Sequence, residues 1–176
     1  KQDHPIHVTV LISKFSLQAH LGLVDPARHV HYELKRLGYD TTFAIGNLRK
    51  DAKNLVLGAF VDIKPLHEVP HAIFNLEQLA EGQGFARLPE YVSLLKACDV
   101  IDYHPKNIEV YRSKEDEKTV PLFPFFYGKH LTRNTVPLEE RPIDLLFLGT
   151  MNERRYLFLE KVRSWGVNVF ASKPVF

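Results

Sequence analysis

Three stretches decide the fold: His7-Val-Thr-Val-Leu-Ile-Ser13, the tetrad Asp25-Pro-Ala-Arg28 and, past Gly38, Tyr39-Asp-Thr-Thr-Phe-Ala-Ile45. The first is β-branched and nearly all apolar, the mark of a strand buried on both faces of a parallel sheet. Asp25 offers an N-cap carboxylate and Pro26 a first helical residue. Ala27, Val30, Leu34 and Leu37 follow at helical spacing until Gly38 stops the helix. Residues 7–45 therefore predict a β-α-β unit with a right-handed crossover, the opening of a Rossmann-like α/β domain.

Working outward, buried strands are predicted over 54–60, 71–75 and 98–103. Between the last two, Pro89 stands near the start of a helix that puts Tyr91, Leu94, Leu95 and Cys98 on one face, and Pro105 opens a short helix through Tyr111. The run 114–118 reads as a charged loop, 120–126 as an edge strand or buried crossover, and 128–141 as a linker. The opening pattern then returns: a strand over 143–149, a helix over 150–165, a stop at Gly166 and a strand over 167–171. This organisation predicts a first domain over 1–137 and the start of a second over 138–176. A lone β-α-β unit cannot bury both faces of its sheet, so the second is expected to need the first domain or further sequence, and Phe176 reads as a cut.

Composition bounds the function. The chain has 176 residues, 45% hydrophobic and 25% charged, the balance of an ordinary soluble domain. Lys plus Arg number 23 against 21 Asp plus Glu, and this near neutrality argues against a nucleic acid or anionic membrane as partner. No run approaches the roughly 18 apolar residues of a membrane span, and the polar start lacks a signal-peptide core; the expected location is the cytoplasm. Cys98, the single cysteine, excludes an internal disulfide and a multi-cysteine zinc site.

Four places could carry chemistry. His67-Glu-Val-Pro-His71 fits the zinc-protease pattern H-E-x-x-H, but that pattern works only on a helix, where Pro70 would remove a hydrogen bond and clash. Gly149-Thr-Met-Asn-Glu-Arg-Arg155 lies where a strand ends and a helix begins, the place where backbone N–H groups and the helix dipole bind anions. Gly149, Thr150 and Asn152 are candidate phosphate contacts there, with Arg154 and Arg155 as bidentate donors; capping of the helix by Thr150 and Glu153 explains the same residues without a ligand. Asn75-Leu-Glu-Gln78 follows a buried strand. Glu77 there is a possible general base, and Asn75 and Gln78 possible hydroxyl-orienting groups, or else all three hold the loop. Asp102-Tyr-His-Pro-Lys-Asn107 repeats that setting, with Asp102 and His104 available for acid–base work or for capping. Ser13, Lys14 and His20, in the loop after the first strand, complete the rim of the same crevice.

Taken in order, the 75–78, 102–107, 120–122 and 144–155 motifs resemble those of bacterial GT-B-type glycosyltransferases of polysaccharide and surface-glycan biosynthesis. The resemblance runs along essentially the whole chain. Ile101 and Phe123-Pro124 depart from it where Trp and Gly-Tyr are expected. It implies two facing Rossmann-like domains, the first contacting a glycan acceptor and the second holding a nucleotide sugar, with no obligatory metal or other cofactor. The 149–155 loop would lie near the donor phosphates, and Glu77 and the first-strand loop near the acceptor. Most of a donor domain would be missing after Phe176, so transfer by this chain alone is not expected. The competing reading is a non-catalytic carbohydrate- or nucleotide-binding module with the same crevice.

Overall fold

Five parallel strands in the order β2-β1-β3-β4-β5 form the main sheet: β1 Ile6–Val10, β2 Thr41–Ile45, β3 Lys53–Leu57, β4 His71–Asn75 and β5 Asp99–Asp102. The computed structural model describes residues 4–12, 22–60, 62, 64–79, 88–113, 119–124, 128, 136–148 and 151–171. Two compact units divide the chain, Lys1–Leu131 and Thr132–Phe176. The sheet belongs to the first, and the α/β class read from the sequence holds.

Helices cover both faces of the sheet. Helix α1, Val24–Arg36, lays Ala27 and Val30 on Val8, Val10, Leu55, Leu57 and Phe74. On the other face, helices α2, Leu88–Ala97, and α3, Pro105–Tyr111, bring Tyr91, Leu94, Leu95 and Tyr111 against Val56, Ile73 and Val100. Alternate residues of β3 and β4 thus enter opposite cores, Leu55, Leu57 and Phe74 on one face and Val56 and Ile73 on the other. By contrast, β1 gives Val8 and Val10 to the first core and buries the polar His7 and Thr9 on its other face. Each fully buried Val or Leu contributes roughly 1.5–3 kcal/mol.

Two local readings are corrected. Leu23, not Asp25, is the N-cap of α1, and it makes no side-chain cap; Asp25 lies within the first turn, 3.9 Å from Arg28. Pro26 is tolerated there because the first N–H groups of a helix have no intrahelical acceptor. The 120–126 stretch contributes a single parallel bridge, Asp102 with Leu122, flanked by bonds from Asp102 N to Pro121 O and from Phe123 N to Asp102 O. Proline at 121 and 124 prevents a longer ladder.

In the second unit, β6, Leu145–Phe147, pairs in parallel with β7, Val169–Ala171, and helix α4, Glu153–Arg163, connects them. Leu159 and Val162 are its buried helical residues, while Leu146, Phe170, Tyr156, Leu157, Phe158 and Trp165 are exposed. The repeat of the opening β-α-β pattern is therefore real, though its strands are shorter than read.

Candidate functional site

The strand order reverses direction between β1 and β3, so the carboxyl edge of the sheet beside that pair is where this architecture opens a ligand crevice. Gly58, just after β3, has φ +76°, and a Cβ there would stand 2.7 Å from the Leu11 carbonyl oxygen. The backbone segments leaving β1 and β3 approach so closely there that only glycine fits.

Farther along the same edge, Asn75 and Asp102 end β4 and β5 in matching register. Neither lines a crevice as the sequence suggested. Both are wholly buried, and their polar atoms are used internally. Asn75 Nδ2 donates to Asp102 Oδ2 at 2.8 Å, and Asn75 Oδ1 accepts from the Tyr91 hydroxyl at 2.9 Å. Asp102 also accepts from His104 N at 2.9 Å, Asn107 Nδ2 at 3.1 Å and the Tyr111 hydroxyl at 3.0 Å. Burial first, then the Glu77 and Asp102 carboxylates, push the Tyr91 phenol well up; burial and Asp102 do the same to Tyr111. Both stay protonated and can donate.

This cluster grips the turn that follows β4. Asn75 Oδ1 accepts from Glu77 N at 3.1 Å, while Asn75 Nδ2 and Asn107 Nδ2 donate to Glu77 O at 3.2 and 3.0 Å. Asn107 Oδ1 accepts from Leu79 N at 3.0 Å. The main chain of Glu77 is thereby fixed on both sides, and its half-buried side chain projects from a rigid turn. Burial raises the Glu77 carboxyl above its ordinary value, the direction that suits proton exchange near neutral pH. Gln78, next to it, is exposed.

His104 is the N-cap of α3: its Nδ1 accepts from Lys106 N at 3.2 Å. Of the 149–155 candidates, Gly149 and Thr150 lie outside the described residues, as do Ser13, Lys14 and His20. Asn152 is the N-cap of α4, its Oδ1 accepting from Arg155 N at 2.9 Å. Arg154 is exposed, and the Arg155 guanidinium carbon stands 5.6 Å from the Phe147 ring centre. The H-E-x-x-H residues do not share a helix. His67 and Glu68 end a 3-10 turn, Lys64–Glu68, and His71 opens β4 beyond Pro70.

Tyr91 and Tyr111 were missed as members of the polar cluster because tyrosine at helical spacing reads as apolar packing. The available signal was Asn107 and Tyr111, one turn apart on the helix that follows Asp102. Comparison with models of protein families, with curated proteins and with solved structures gave no match to this chain.

Proposed function

We propose that the chain is the acceptor-side portion, with the beginning of the donor-side portion, of a glycosyltransferase that moves a sugar from a nucleotide-sugar donor to a glycan. The observation that carries this reading is Glu77: a half-buried carboxyl with a raised pKa, on a turn clamped by Asn75 and Asn107, at the carboxyl edge of a doubly wound parallel sheet. Glu77 takes the proton of the acceptor hydroxyl as that oxygen bonds to the anomeric carbon and the nucleoside diphosphate leaves. Arg154 and Arg155, in the first turn of α4, supply guanidinium groups for the diphosphate. The family assignment itself rests on the order of sequence motifs.

The test is a transfer screen of nucleotide-sugar donors against oligosaccharide acceptors, using the complete gene product and its Glu77→Gln variant, read by mass spectrometry. Transfer by the wild type and its loss in the folded variant are expected. Oligosaccharide binding with no transfer from any donor would favour a non-catalytic carbohydrate-binding module instead.

A further inference from the structure

Parallel pairing of β4 with β5 brings together two residues at the end of the sheet opposite Asn75 and Asp102. His71 opens β4, and Cys98 directly precedes β5. His71 Nε2 is 3.0 Å from Cys98 Sγ, and His71 Nδ1 is 3.0 Å from the Val69 carbonyl oxygen. A carbonyl can only accept, so Nδ1 carries the ring hydrogen and Nε2 of the neutral ring is a bare acceptor aimed at the thiol. Proton transfer from Sγ to Nε2 leaves a thiolate beside an imidazolium whose Nδ1–H remains held by Val69. Nucleophile, base and the group that orients the base are thus in place.

The thiol also has somewhere to receive a reactant. Cys98 is half-buried and lines a cavity of about 540 Å³ whose other walls include Ile6, Leu55, Ile101, Lys53 and Arg112. Arg112 gives its Nη atoms to the carbonyls of Leu95, Lys96 and Cys98, and its buried Nε has no acceptor among the described residues. The walls are mostly apolar, with the Lys53–Asp99 ion pair (3.3 Å) and the Arg112 guanidinium set in them, a net positive lining that suits a small anion-bearing molecule.

We propose that Cys98 is a nucleophilic thiol, deprotonated by His71, that forms a mixed disulfide with a low-molecular-weight, carboxylate-bearing disulfide received in this cavity. Sγ attacks one sulfur of the reactant; the new S–S bond forms as the old one breaks. The departing thiolate takes the proton from Nε2, so Cys98 is oxidised, half of the reactant is reduced, and no other oxidant is needed. The site is roughly 13 Å along β4 from the Glu77 turn and does not depend on the glycosyltransferase reading.

The test is the second-order rate of the whole chain with 5,5′-dithiobis(2-nitrobenzoate) at pH 6.5, where an ordinary thiol is only about 1% ionised. The native wild type is expected to react at least about tenfold faster than His71→Asn, His71→Gln and the urea-unfolded wild type. His71→Asn keeps a donor near Val69, so loss of rate in that variant isolates Nε2. Native rates equal to those of the folded variants, or no faster than the unfolded chain, overturn the proposal. If neither variant folds, the native-to-unfolded comparison decides. Cationic cystamine tests the cavity: its rate relative to the anionic reagent should fall on folding, and an unchanged ratio removes the carboxylate preference.

Discussion

Asn75 and Asp102 meet across β4 and β5, amide to carboxylate at 2.8 Å, with neither residue exposed. Each ends its strand where a polar side chain would ordinarily face a ligand, yet both turn inward and hold other parts of the fold. The buried carboxylate collects four donors, from Asn75, His104, Asn107 and Tyr111. Through Asn75 and Asn107 the cluster then fixes the main chain of Glu77.

Asp102→Ala is expected to destabilise the first unit by about 3–5 kcal/mol, because it strands several buried donors at once. Tyr111→Phe removes one of those bonds and is expected to cost about 1–2 kcal/mol. Urea unfolding followed by circular dichroism measures both. A smaller loss for Asp102→Ala than for Tyr111→Phe would show that the carboxylate does not hold the cluster.

Gly58 and Gly38 both have positive φ, +76° and +87°, but only Gly58 is crowded. At Gly38 nothing lies within 4 Å of an added Cβ, so Gly38→Ala should cost only the left-handed penalty of roughly 1–2 kcal/mol. Gly58→Ala adds a clash with the Leu11 carbonyl oxygen at 2.7 Å and should cost clearly more. Equal unfolding midpoints for the two variants would mean that β1 and β3 can part beyond their carboxyl ends without penalty.

The strand His71–Asn75 and the helix Pro105–Tyr111 begin and end where the sequence indicates, since a β-branched or aromatic run and an N-terminal proline are local signals. The direction taken by Asn75 was not legible. It depends on Tyr91, 16 residues away, and on Asp102, 27 away, and a periodic pattern carries no trace of such pairings. The same limit applies to Asp25, whose tetrad with Pro26 looks like a cap although the N-cap, Leu23, lies two residues earlier. Glu77 was identified as a candidate from its place after a strand; that its turn is clamped follows only from the three-dimensional contacts.

The raised pKa of Glu77 sets the sign of a pH effect. A carboxyl raised in the native state binds its proton more tightly there than in the unfolded chain. Its contribution is fully present below the ordinary value of 4.5 and is lost as pH rises through the raised one. Glu77→Gln removes this dependence, so the variant should match the wild type in urea at pH 4 and exceed it at pH 7. Other carboxyls, such as Asp51 lowered by Arg49, act alike in both proteins and cancel in the comparison. A variant that is less stable at pH 7 would indicate that the carboxylate makes a favourable native contact.

Arg154 and Asn152 separate ligand binding from helix stability in the second unit. Asn152→Ala removes the N-cap bond to Arg155 N and should cost about 1 kcal/mol of helix stability. Arg154 is exposed and belongs to the first turn of α4 without being its cap, so Arg154→Ala should leave unfolding nearly unchanged. In the complete gene product, the proposed contact with a donor diphosphate predicts that Arg154→Ala raises the apparent KM for the nucleotide sugar or lowers turnover. A charge-assisted bond of this kind is worth roughly 1.5–3 kcal/mol, about a tenfold to hundredfold change in kcat/KM. Kinetics that match the wild type would remove Arg154 from the donor site and leave the N-terminus of α4 explained by its Asn152 cap alone.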